Sequence, residues 1–332
     1  MTGVRWAYAL NHWDTNIDAF VRKREHERAF KTVSISGFSP VELTAVGFGA
    51  WEPLGTPQQI SDLYGSLADF REVLRGCALE GVSSYFYDPF IGFDVEMGRG
   101  YDPLHEASIP KITATAMWFG DAVRALGGDV LVVRPAGSAW QTGPLDDEQI
   151  AALARCWNEV GSAIRAAGVT LALHFDFLSA LRLDNGLERL LAATDPELVG
   201  LALDTAEFAV AGIDPVDFYA RHAARVRHVQ LKDARAVVDD EEARTSHAEH
   251  FVRTEGGSRG ILRWFFEPTD EGGLVDFVTF TETLAEHGYS GWVVVESDQS
   301  PHPAESAMVS GWYVQQVLAP ILERARTPAV AV

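Results

Sequence analysis

Eight short β-rich runs alternating with longer amphipathic stretches predict a single-domain α/β fold, a closed (β/α)8 TIM barrel. Two other features point the same way. Several helical stretches end in glycine just before the next run, the expected helix stop. The turn after the first run, ALNHWDTN, is not the glycine-rich phosphate loop that an open doubly wound sheet would want there.

In chain order the strand runs are VRWAYALN, PVELTAVG, GVSSYFYD, DVLVVRP, VTLALHFD, VGLALDTA, VRHVQLKD and GWVVVESD. Between them, SLADFREVLRGCALEG, DEQIAALARCWNEVGSAIRAAG and FVTFTETLAEHG carry helical periodicity. Residues 236–273 break this rhythm. They follow the seventh strand, so they belong to the face where such barrels keep their sites, and they are too long for a simple connection. Their tract GILRWFFEP is too aromatic for a solvated linker. We expect a lid or a partner-binding element inserted in a barrel that otherwise spans residues 1–332.

The chain has 332 residues, 47% of them hydrophobic, enough for one large core. Its formal charge of −20 repels polyanions, which argues against nucleic acid and anionic membranes as partners. Cys77 and Cys156 form no metal spacing and no disulfide framework, and the N-terminal MTGVRWAYALNHWD lacks the pattern of a signal peptide. A cytoplasmic location is the expectation. No run approaches the roughly 20 apolar residues of a membrane helix.

Strand C-terminal ends carry the chemistry in this architecture. The first strand ends at Asn11 and His12, and the fourth at Arg134. The fifth reaches His174 and Asp176, the sixth Asp204 and Glu207, the seventh His228, Gln230 and Lys232, and the eighth Glu296 and Asp298. Carboxylates aimed into one apolar cavity repel each other and are expensive to bury unpaired. A divalent cation is the simplest remedy, and an oxygen-rich set with an imidazole suits manganese, magnesium or cobalt. Each residue also has an ordinary reading. A lone acid at a strand end is commonly a helix cap, and Asp204 stands where it could cap the next helix. His228 could be a hydrogen-bonded core histidine and Lys232–Asp233 an exposed pair, while His26, His222 and His287 read as helix surface. The convergence of four strands favours a site.

The stretches LALHFDF, LALDTAEFAVAGIDP, RVRHVQLKDA and GYSGWVVVESDQSPHPAESA resemble the xylose isomerase-like barrels of the sugar phosphate isomerase/epimerase superfamily. The C-terminal half is similar in pattern to inosose dehydratases. The opening YALNHW with REHERAFKTVSISGFSPVEL resembles the larger subunit of C-glycoside deglycosidases, which work with a smaller β-rich partner. The resemblance implies a divalent metal, Mn2+ first with Mg2+ or Co2+ as alternatives, held by residues of four strands. Motif by motif these fall on His174, Asp204, Gln230 and Glu296. Two depart in type: the usual first glutamate is His174, with Asp176 two residues on as a further ligand candidate, and the usual histidine is Gln230. Glu207 stands where a substrate-facing histidine is usual.

The resemblance implies removal of a proton next to a carbonyl, with the metal as Lewis acid. His174 replaces one carboxylate of a two-glutamate isomerase, and a histidine can serve as base and then protonate a leaving group. β-Elimination from an oxidised sugar, as in inosose dehydratase or 3-keto C-glycoside cleavage, is therefore expected. The catalytic set is His174, Glu296 and Lys232, with His12, Arg134, Glu207 and His228 on the substrate. A sugar isomerase or epimerase is the alternative, and a metal-free, non-catalytic binding subunit the second. The insertion and the C-terminal SAMVSGWYVQQVLAPILERA offer surfaces for a second subunit or a homo-oligomer.

Overall fold

A computed structural model describes residues 3–11, 13, 19–45, 54–91, 100–245, 265–268, 272–297, 300 and 302–326. His12, His247, His250 and Asp298 lie outside the described residues, as does most of the insertion.

The eight expected strands are all present: β1 (Arg5–Ala9), β2 (Pro40–Ala45), β3 (Gly81–Tyr87), β4 (Val130–Val133), β5 (Thr170–His174), β6 (Val199–Asp204), β7 (Val226–Leu231) and β8 (Trp292–Val295). They close in sequence order into one parallel barrel, β8 pairing back onto β1. Parallel strands covered on both faces need no polar side, and β4 (VLVV) and β8 (WVVV) read as unbroken apolar runs.

The layer outside the strands is built from α1 (Ala19–Ile35), α2 (Pro57–Tyr64), α3 (Leu67–Gly76), α4 (Ile109–Leu126), α5 (Ala139–Thr142), α6 (Asp147–Ala166) and α7 (Gly186–Ala193). It continues with α8 (Thr205–Val210), α9 (Pro215–His222), α10 (Asp240–Ala243), α11 (Phe277–Glu286), α12 (Pro303–Tyr313) and α13 (Ala319–Arg326), the last two joined by a π-helical stretch, Val314–Leu318. Local chemistry sets their ends. Asp146 and Gln149 form a reciprocal capping box at the start of α6, and Gly127 takes φ +99° to stop α4. Not every histidine read as helix surface is one: His26 on α1 is fully buried, with Nδ1 2.9 Å from the Tyr64 hydroxyl.

Two irregularities bear on function. Pairing of β2 with β3 shifts between Val41 and Glu42, so that Glu42 faces Ser84; pairing of β6 with β7 shifts between Leu201 and Ala202, so that Ala202 faces His228. Such bulges re-aim side chains. Inside the barrel the apolar layer contains Ala7 and Ala9 of β1 with Val130, Val132, Ala172, Ala202 and Val294. These small residues on β1 leave room for longer side chains from β2 and β7 to meet.

Candidate functional site

The deepest polar layer of the barrel centres on Glu42. Its carboxylate accepts hydrogen bonds from the Ser84 hydroxyl (2.6 Å) and the Gln230 amide (2.6 Å), and meets His228 Nε2 at 2.8 Å. All four residues are buried. Burial works to raise the Glu42 pKa, but the charge and hydrogen bond of His228, with those from Ser84 and Gln230, hold it below the usual carboxylate range. His228, expected to face substrate, is instead fully buried at this level with its Nε2 committed to Glu42.

Above it lies an ion cluster at the strand ends. The Lys232 ammonium sits 3.1 Å from Asp204 Oδ2, 3.2 Å from Glu296 Oε1 and 3.5 Å from Glu207 Oε1. Asn11 donates to the same Glu296 oxygen at 2.6 Å, and His174 Nε2 stands 3.5 Å from Asp204 Oδ2. Lys232 and Asp233 are both buried, so the exposed-pair reading gives way. The cap reading of Asp204 holds alongside the cluster: Oδ1 accepts from the backbone N–H groups of Ala206 and Glu207 at the start of α8, and Oδ2 faces Lys232 and His174.

Three carboxylates around one ammonium leave excess negative charge, and the neighbouring groups respond. Burial pushes the Glu207 carboxyl up to about 7, against the pull of Lys232, while its Oε2 accepts from the Phe177 N–H at 2.9 Å. Burial would lower the His174 pKa, but the hydrogen bond and charge of Asp204 raise it overall. His174 is also packed edge-on against Phe86, ring centroids 5.3 Å apart.

A second charged group lines the β3–β5 end. Arg134 reaches Asp176 Oδ2 (3.0 Å), Asp88 Oδ2 (3.3 Å) and the Ser138 hydroxyl (3.0 Å). Asp176 Oδ1 accepts from the Leu178 N–H at 3.0 Å, so both oxygens of this candidate ligand serve the loop and Arg134. Its charge still bears on Glu207 in the Lys232 cluster.

The described part of the insertion reaches the site. Phe265 is buried, lies 4.6 Å over the Lys232 ammonium and packs against Phe177. Asp233 fixes it there: its backbone exchanges two hydrogen bonds with Phe266, and its Oδ1 accepts from the N–H groups of Ala234, Leu274 and Val275.

Whether these residues suit a divalent cation can be judged from the donors. Among the described residues no three His, Cys, Asp or Glu side chains are grouped closely enough to hold a metal, and Lys232 stands between Asp204 and Glu296. The chemistry nonetheless fits: two carboxylates, an imidazole and an amide oxygen from four successive strands, with Gln230 Oε1 buried and without a hydrogen-bond donor. A buried acceptor beside excess negative charge is suited to a cation.

Sequence reading had not singled out Glu42, Asp88 or Ser138. A glutamate in the middle of the buried strand PVELTA was the available signal, since a parallel strand covered on both faces has no reason to carry one.

Comparison with known proteins agrees with this placement. The model of the xylose isomerase-like TIM barrel family matches residues 41–311. The inosose dehydratase of Lacticaseibacillus casei is 30% identical over 212 residues, covering 60% of this chain and 68% of that protein. The inosose dehydratase of Mesomycoplasma hyopneumoniae strain 7448 is 34% identical over 152 residues, 46% of this chain and 48% of that one. Among solved structures, an L-ribulose 3-epimerase superposes with a TM-score of 0.64 at 16% identity, covering 97% and 96% of the two chains. A sugar phosphate isomerase/epimerase of Parabacteroides distasonis gives 0.63 at 15% identity, covering 97% and 96%. At these identities the structural likeness speaks for the fold.

Proposed function

This chain belongs to the xylose isomerase-like TIM barrel family, and on that premise we propose that it is a divalent-metal-dependent lyase acting on an oxidised, non-phosphorylated sugar or cyclitol. It removes the proton next to the carbonyl and expels a β-substituent. One observation carries the reading: the buried cluster of His174, Asp204, Lys232 and Glu296 at the ends of four successive strands. The similarity to inosose dehydratases supports the choice of elimination.

Asp204, Gln230 and Glu296 would hold the cation, preferably Mn2+, with His174 reserved as the base beside them. When bound, it would supply Lewis-acid polarisation of the substrate carbonyl. His174 is placed to take the α-proton through Nε2: it is buried, and Asp204 supports its charged form. Lys232 holds Glu296 and Asp204 in place and brings a buried ammonium to the place where substrate hydroxyls would bind. Burial, acting against the pull of Lys232, makes Glu207 a carboxyl able to carry a proton near neutral pH, and its bond from the Phe177 N–H holds it in place. Phe265 excludes water from this centre and offers a ring for the C–H face of a sugar. Arg134, held by Asp88 and Asp176, forms the polar wall on the opposite side.

The test is NMR in D2O with a keto-inositol, with and without Mn2+. Deuterium entering at the α-carbon together with an unsaturated product supports the lyase. Deuterium with a stereoisomer as product would assign the protein to the sugar epimerases instead. Neither exchange nor product, extended to 3-keto C-glycosides and ketopentoses, would overturn an enzymatic role and favour a binding subunit.

A further inference from the structure

We propose that Glu42 is a positioning residue that sets the Gln230 side-chain amide with its nitrogen toward β2 and its oxygen toward the Asp204 side of the site, so that the oxygen acts as a cation ligand. This inference rests on the metal reading above. The two ends of an amide are alike in size, and hydrogen bonding alone decides which way it points. A carboxylate only accepts, so Glu42 Oε1, 2.6 Å away, selects the Gln230 nitrogen. The oxygen is then left over, and it is buried without a donor.

Glu42 is itself held by two side chains. The bulge between Val41 and Glu42 brings it opposite Ser84, whose hydroxyl donates at 2.6 Å, and His228 holds the same carboxylate oxygen at 2.8 Å. Ala9, its partner on β1, and Ala7 leave the space it crosses to reach β7. On the other side, Gln230 pairs in register with Asp204, the cap of α8 whose second oxygen faces Lys232 and His174. A deep carboxylate thus specifies the orientation of an amide whose strand position is level with Asp204 of the cluster. An amide is a neutral ligand, and without such an anchor it would flip to offer its nitrogen to the carboxylates nearby. Outer groups that orient ligands are commonly worth 10–100-fold in metal affinity.

The experiment is a double-mutant cycle read as Mn2+ affinity, from the electron paramagnetic resonance signal of free Mn2+ titrated into metal-stripped protein. Glu42→Gln is expected to weaken Mn2+ binding roughly 10-fold or more. In a Gln230→Met background, which removes the amide, the same substitution is expected to change affinity by less than about twofold. A purely structural role would weaken binding equally in both backgrounds and would overturn the proposal. Glu42→Asp keeps the charge opposite His228 but withdraws the carboxylate by one methylene; it should repeat the pattern if Glu42→Gln fails to fold. Unchanged affinity in a folded Glu42 variant overturns the positioning role alone. Wild-type protein that takes up no Mn2+ overturns the metal reading, and this inference with it.

Discussion

The two ends of the barrel hold polar clusters of similar size and opposite design. At the N-terminal end Arg5 pairs with Asp129 at 3.2 Å and stacks on Trp292, whose indole N–H donates to Asp129 at 2.7 Å, while the Tyr289 hydroxyl donates to the Trp292 carbonyl. One cation meets one carboxylate, and both are partly exposed. At the C-terminal end one ammonium faces three buried carboxylates, and burial lets Glu207 hold its proton up to about 7. The first arrangement is balanced and screened by water. The second stores excess charge where water is excluded, a condition that stability alone would not favour. It marks this end as the working face.

The comparison breaks most directly at Lys232. Lys232→Met leaves Asp204, Glu207 and Glu296 buried without their ammonium, and losing one partner of a buried ion pair costs about 3–5 kcal/mol. We expect a loss in the lower part of that range, because protonation of Glu207 relieves some of the charge, and we expect turnover to disappear. Urea unfolding checks the first and the D2O assay the second. A stability change below about 1 kcal/mol would show that the C-terminal cluster is held as loosely as a surface pair.

His174→Ala separates chemistry from stability. Its contact with Asp204 is long, 3.5 Å, so the folded state should lose only about 1 kcal/mol. Turnover should fall roughly 10²–10⁴-fold, the usual contribution of a positioned base. Near-native activity in this variant would move the proton-abstracting role to another group.

The contrast between the two ends also explains what the sequence could and could not reveal. Strand ends on β5–β8 were readable because an apolar triplet runs straight into a polar residue in LALHFD, LALDTA and VVVESD, while His, Gln and Lys alternate with apolar residues in HVQLKD, and periodicity alone places those side chains. Barrel closure was equally readable from eight alternating units. The partners across the barrel were not. Glu42 and His228 are 186 residues apart, and only closure with β1 and β8 between them, together with the bulge at Glu42, makes them neighbours. Asp176 shows the reverse problem: its spacing from His174 suggested a shared role, but its oxygens are bonded to Arg134 from the adjacent strand and to the Leu178 N–H. Burial of Lys232 followed from a segment distant in sequence, Phe265, whose aromatic tract was visible while its target was not.

Phe265→Ala tests whether the insertion seals the working face. The ring covers Lys232 and packs on Phe177, so its removal admits water to the cluster while leaving every charged residue in place. A desolvated cation–π contact is worth about 1–2 kcal/mol, and a loss of about tenfold in kcat/KM is expected, carried mainly by KM. An unchanged kcat/KM would mean that this part of the insertion serves the fold or a partner rather than the site.

The smallest effect is expected at the other end. Arg5→Met removes a partly exposed ion pair with Asp129 and a stack on Trp292, while Trp292 keeps its own bond to Asp129. Pairs of this kind contribute about 0.2–1 kcal/mol, and salt screens them. Stability should therefore fall by less than about 1 kcal/mol, with the difference from wild type shrinking at high ionic strength, and turnover should not change. Equal losses from Arg5→Met and Lys232→Met would erase the distinction between a balanced end and a charged one. A small, salt-sensitive loss beside a large, salt-insensitive one would locate the stored charge where the strands end, since only buried groups escape screening.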